Sequence, residues 1–261
     1  MKNILSAIWT ENLKIRRSKI FVITLILSVF VPLVMGFMIY IAKNPDLAYK
    51  FGLLGAKATV LNLQADWSTY LGLLNMAMVG IGIVLFGFIT SWVFGREYSD
   101  HTVKDLLALP MPRSTIVLAK FLVIVIWCIF LAFIFFICGV LAGAVVQMPG
   151  WTNELVFHGT KIFFGASSLA ILLSTPVAFF ASFGRGYLSP VGFVLLALIA
   201  SQFVGALGFA QYFPWSIPML YAGGAGAEGA HLGIISYIIL LLTSGLGLIG
   251  TFAWWRNSDQ T

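Results

Sequence analysis

An all-α, polytopic membrane protein with six transmembrane helices is the fold this chain predicts, with an amphipathic helix at its N-terminal interface and a short cytoplasmic helix in one loop. Three observations carry that reading. Six stretches contain no Asp, Glu, Lys or Arg: residues 20–42, 67–95, 121–153, 162–184, 186–227 and 229–255. Each exceeds the roughly 20 apolar residues that a bilayer-spanning helix needs. Charged residues make up only 9% of the 261, and the mean hydropathy is +1.00, so water is not the main solvent. The two longest charge-bearing segments, residues 43–66 and 96–120, are 24 and 25 residues long, too short for a separate globular core. The chain therefore reads as one transmembrane domain over 1–261, and any energy-supplying domain is expected on another polypeptide.

Residues 1–19 come first. Ile4, Leu5, Ile8, Trp9 and Leu13 recur at helical spacing, with Lys2, Ser6, Thr10, Lys14 and Arg17 mostly on the other side, as in a helix lying along the inner membrane face. No cleavage site of the small-x-small kind precedes Lys43, so the first apolar run is expected to stay in place. The spans follow at about 20–42, 69–94, 116–146, 161–183, 187–210 and 232–255. Pro32 should kink the first. Segment 43–68 is expected outside, with Asn44-Pro45-Asp46 opening a helix and Leu47, Phe51, Leu54, Ala58 and Leu61 forming its apolar stripe. Gly72, Gly80, Gly82 and Gly87 in the second span let helices approach closely. The uncharged run 186–227 holds 42 residues, about 63 Å if helical, and so cannot be one straight span. Pro214, Pro218 and the glycines after them mark 211–231 as an external segment broken by turns. Its Phe213, Trp215 and Tyr221 are placed at the outer interface or in a re-entrant dip.

Orientation follows from the cations. With alternating spans and the N-terminus inside, eleven of the 15 Lys and Arg lie on the cytoplasmic side and four outside. Acids divide five to four, so the whole +6 lies within. Both termini are then cytoplasmic, in a plasma membrane whose anionic lipid is partner enough for the basic excess; no nucleic acid is needed.

Catalytic patterns are missing. There is no Gly-Lys dipeptide and hence no Walker A loop, and neither the zinc-protease nor the nucleophile-elbow motif occurs. The three histidines fall in separate predicted loops and make no metal set, and Cys128 and Cys138 are too far apart along one helix for a disulfide. No ionisable residue lies in the middle of a predicted span, where ion-coupled carriers place them. The reading is of a non-enzyme without a cofactor of its own.

The inner loop between spans two and three, from Arg96 to Lys120, is the most informative polar stretch. Thr102 and Asp105 resemble a capping box ahead of Leu106 and Leu107, and Pro110 stops the helix two turns on. An apolar edge of Val103, Leu106 and Leu107 beside Arg96, Glu97, Asp100, Lys104 and Asp105 suits a knob docked in a soluble partner. A plain interfacial loop that orients the spans fits the same residues.

These features together resemble the permease subunits of bacterial ABC transporters, in the six-span type-2 exporter class. The loop matches that family's order of an acid, a Thr, a Leu-Leu helix, then Pro, Arg and Lys, here Glu97, Thr102, Leu106-Leu107, Pro110, Arg113 and Lys120. Where family members often carry Gly before the Thr, this chain has His101. Phe213-Pro214-Trp215-Ser216-Ile217-Pro218 is similar to the subgroup of bacitracin and lantibiotic self-protection and sodium-export permeases. The resemblance implies a coupling helix within the loop at 96–115, resting on a separate ATP-binding subunit through Glu97, Asp100, Thr102, Lys104, Asp105, Leu106 and Leu107. It implies a second permease, identical or homologous, and an external gate or interface at Phe213, Pro214, Trp215 and Pro218. ATP bound by the partner would drive an amphipathic peptide antibiotic or lipid-linked compound outward. A non-transporting structural or sensory subunit and a sodium-ion export permease are the alternative readings.

Overall fold

The computed structural model describes residues 2–44, 65–103, 111–224 and 232–257. The predicted outer amphipathic helix at 47–61 and most of the predicted coupling helix lie outside these residues. The described helices are α1 (Lys2–Arg16), α2 (Lys19–Lys43), α3 (Trp67–Ser99), α4 (Arg113–Val145), α5 (Asn153–Leu172), α6 (Ser174–Phe183), α7 (Leu188–Ala206), α8 (Ile217–Tyr221) and α9 (Ile234–Asn257). A turn of 3-10 helix covers Ala210–Tyr212. Among the described residues, six helices are long and apolar enough to cross a membrane, with α5 and α6 counted together as one span.

Helix α3 is the axis of the bundle and packs against α2, α4, α5, α6, α7 and α8. Its core face carries Tyr70, Leu74, Phe86 and Phe94, all fully buried. Lipid supplies no hydrophobic drive, so close approach comes from small residues. At Gly95 an added Cβ would stand 2.6 Å from the Gly186 carbonyl carbon and 2.7 Å from the Tyr187 nitrogen, so the turn between α6 and α7 rests on α3 backbone to backbone. At Gly247 of α9 a Cβ would overlap the backbone nitrogen and Cα of Pro176.

Pro176 also accounts for the break between α5 and α6. It has no N–H for the Leu172 carbonyl, and the Thr175 hydroxyl stands in at 3.0 Å while lying 2.7 Å from the Ser244 carbonyl of α9. In α2, by contrast, the helix continues through a buried Pro32.

Charged borders coincide with both ends of α2 and the start of α3, but the end of α3 and the start of α5 run past theirs. The second span continues to Ser99, and the fourth begins at Asn153 rather than near Lys161. Thr152 starts it by accepting the Leu155 N–H at 3.2 Å, which places His158 inside a helix, not a loop. Lys161 stays tolerable there with its ammonium 4.2 Å above the Phe157 ring. A charge marks the edge of hydrocarbon, whereas helical hydrogen bonding runs on into the headgroups.

At one end of the bundle, Asp66 caps α3 by accepting the Thr69 N–H at 2.9 Å. The Trp67 N–H reaches the Pro149 carbonyl at 3.1 Å. Beside them the Lys43 ammonium donates to the Val146 and Gln147 carbonyls at 3.0 Å each, placing a cation on the negative end of α4. The ends of α1, α3 and α9 and the start of α4 gather at the opposite, basic end.

Candidate functional site

Four side chains close a ring of alternating charge at the basic end. The Lys120 ammonium lies 2.5 Å from Glu97 Oε2 and 3.3 Å from Glu11 Oε2. The Lys14 ammonium lies 2.8 Å from Glu11 Oε1 and 3.1 Å from Glu97 Oε1. All four carboxylate oxygens are thereby engaged. The third Lys120 proton goes to the Val93 carbonyl at 2.9 Å, which uses the full donor capacity of an ammonium. Arg96 adds a contact to Glu97 Oε1 at 3.4 Å and rests its guanidinium 4.7 Å above the Trp92 ring.

The ring is dry. Lys120 is 0% exposed, Glu97 1% and Glu11 5%. Burial opposes the charge on Lys14, but Glu11 and Glu97 outweigh it and raise its pKa above the ordinary lysine value. Such groups cost several kcal/mol each to take out of water, and only complete pairing offsets that.

Helix geometry brings these residues together. In α1, Ala7, Glu11 and Ile15 are spaced four apart and buried, forming the face that packs on α4. Leu5, Trp9 and Leu13 lie half a turn away and remain exposed. The N-terminal helix is thus present, but it binds the bundle through a face that hydrophobic periodicity alone did not single out. Ser18 then ends α1 and opens α2 by accepting the Phe21 N–H at 3.3 Å.

Each residue assigned to the loop on sequence grounds has a definite place or none described. Glu97 is inside the ring, so its carboxylate faces this chain's own lysines rather than a surface. Asp100 is exposed and only 4.0 Å ion-paired to Arg96. Thr102 is exposed, with its N–H on the Glu97 carbonyl at 2.9 Å. Lys104, Asp105, Leu106 and Leu107 are outside the described residues. Because α3 ends at Ser99 and α4 begins at Arg113, the connection is shorter than the predicted 96–120, and the Glu97–Lys120 pair clamps its base. His101 has a φ of 57°, in the left-handed region that glycine enters freely and histidine only at a cost.

Sequence reasoning missed Glu11, Lys14 and Lys120 as one site. The available signal was opposite charges at facing ends of consecutive apolar runs, with an i,i+3 pair in the leader.

The segment after α7 folds back into the bundle at the other end. Trp215, Ser216, Ile217 and Pro218 are buried, while Phe213 and Pro214 are half-buried. The Trp215 ring meets Phe193 at 5.2 Å, thirteen residues before the end of α7 and so about 20 Å along that helix. The Ser216 hydroxyl donates to the Ser201 carbonyl at 3.4 Å, and Tyr221 lies against Gly165 of α5. The described part of the segment therefore packs into the bundle rather than lying across its end. Between it, α3 and α7 lies a cavity of about 340 Å³ whose polar lining groups include Ser201, Gln202 and Ser216.

Among the described residues, six spans with an ion-paired loop base at one end and an inward-folded segment at the other define a multi-pass membrane protein. Residues 7–201 match the family described as ABC-2 family transporter protein, and the chain belongs to that family. Over 218 residues it is 28% identical to the bacitracin transport permease protein BCRB of Bacillus licheniformis, covering 84% of this chain and 97% of that protein. The chain is thus a multi-pass permease of the type-2 ABC class in a bacterial membrane, a class that works with an ABC ATP-binding subunit.

Proposed function

We propose that the protein is the membrane-spanning permease of an ATP-driven exporter, carrying an amphipathic substrate outward while a separate subunit hydrolyses ATP. The observation that carries this is the charge ring. It joins α1 to both stems of the 100–112 connection, so a push on that loop reaches α1, α3 and α4 together. The loop faces the cytoplasm in this reading, because the basic excess gathers at the same end. Asp100, Thr102, Lys104, Asp105, Leu106 and Leu107 form the docking surface, and Glu97 positions it from within. A second permease, identical or homologous, completes the pathway.

The substrate class rests on the bacitracin permease relative and on the mixed polar and apolar cavity beside Trp215. The relative's printed substrate and a cavity that mixes apolar side chains with Ser201, Gln202 and Ser216 suit an amphipathic peptide antibiotic or lipid-linked compound, and the export would confer resistance to it. Phe213, Pro214, Trp215 and Pro218 close the pathway at the outer end. The test is to replace Leu106 and Leu107 together by Asp. The ATP-binding subunit should then no longer co-purify, while the permease still inserts; unchanged co-purification would refute the docking assignment. ATP-dependent uptake of a labelled peptide antibiotic into inverted vesicles separates an exporter from a docking subunit that transports nothing.

A further inference from the structure

A groove of about 810 Å³ runs along the surface where α4 meets α9 at the basic end. Arg113, Ser114 and Arg256 line its mouth, and Leu248, Ile249 and Phe252 line its wall. We propose that this groove is a binding site for one anionic phospholipid, with the phosphate between the two guanidinium groups and an acyl chain along the apolar wall.

Depth, charge and rigidity each support that occupant. The arginines stand at the first residue of α4 and in the last turn of α9, at the level where a span leaves hydrocarbon. Ile249 lies seven residues earlier in α9, about 10 Å deeper, and is 67% exposed. A lipid held by its head at Arg256 would therefore lay its first carbons on this wall. No acid lines the groove among the described residues, and none of their carboxylates pairs with Arg256. Two cations over an apolar trough between spans are the arrangement that selects an anionic headgroup over a neutral one.

The site is also built before a ligand arrives. Arg113 Nη1 donates to the Trp255 and Arg256 carbonyls at 3.3 and 3.5 Å, which fixes the guanidinium while its other N–H groups remain to meet a phosphate. Phe252 is held by stacking on Phe121, with ring centroids 6.2 Å apart.

Native mass spectrometry of the full chain in detergent, titrated with phosphatidylglycerol or phosphatidylcholine of the same acyl chains, tests the proposal. Phosphatidylglycerol should be retained preferentially. Arg256→Gln should weaken its binding about fivefold, and adding Arg113→Gln should bring the loss to about 25-fold. Ile249→Trp, which fills the trough and leaves both arginines, should lose the lipid as well. Lys19→Gln, an exposed cation at the same end, should change nothing. Equal retention of the two lipids overturns the site, as does a loss from Lys19→Gln matching that from Arg256→Gln, which would indicate a diffuse surface field. Cross-linking of Ile249→Cys between two copies would overturn it too, by putting protein where the lipid is placed.

Discussion

The two ends of the bundle are held by different physics. At the basic end, α1, α3 and α4 meet through a closed circuit of buried charge in which every carboxylate oxygen has a donor. At the other end the inward-folded segment is held by aromatic edges and one 3.4 Å hydroxyl contact, and the buried Trp215 indole nitrogen has no partner among the described residues. Pulling the first apart strands charges in a dry site. Pulling the second apart costs only packing. The basic end should therefore move as one body, and the aromatic end should be where helices separate.

The strongest way to break that contrast is Lys120→Met. It leaves Glu11 and Glu97 sharing only Lys14 and Arg96, and should destabilise the protein by about 3–5 kcal/mol, read as a fall in the thermal midpoint in detergent. Pairing it with Glu97→Gln removes both charges and should recover most of the loss. A double variant no better than the single one would show that packing rather than charge holds this end. Gly95→Val comes next. It drives a side chain into the Gly186–Tyr187 backbone and should cost about 1–3 kcal/mol by the same measurement, since backbone cannot yield as a side chain would.

Trp215→Phe sharpens the comparison from the other side. It keeps an aromatic ring against Phe193, and as a near-conservative apolar change should cost less than about 1.5 kcal/mol. Its effect should instead appear in transport rate, measured in vesicles against unchanged ATPase association. The smallest effect is a gain. His101→Gly relieves the left-handed backbone and should stabilise the loop entry by about 1 kcal/mol, seen as slower proteolysis there.

Much of the fold was legible because hydrocarbon imposes a length. Six apolar runs gave six spans, and 42 uncharged residues in 186–227 gave a turn-broken segment. How far that segment dips was not legible, since Pro214 and Pro218 mark a break without a direction; depth is set by which α7 and α5 residues leave room, such as Gly165. The charge ring was hidden for another reason. Glu11 and Lys120 stand 109 residues apart, and each reads as an ordinary interfacial charge until α1 is laid across α3 and α4. The loop motif places Glu97 on a docking surface, whereas its carboxylate faces Lys14 and Lys120 within the chain, neighbours that such a motif does not reveal.

The ring also imposes a schedule on synthesis. Glu11 leaves the ribosome long before Lys120, and at about 5–20 residues per second it waits on the order of ten seconds for that partner. Lys14, three residues on in the same helix, can accompany it meanwhile. Lys120 has no acid in its own helix, but Glu97, 23 residues earlier, is already made when it emerges, so it is the leader's half of the ring that closes on a pair already formed. A truncated or blocked leader would then fail during manufacture, before any question of transport arises.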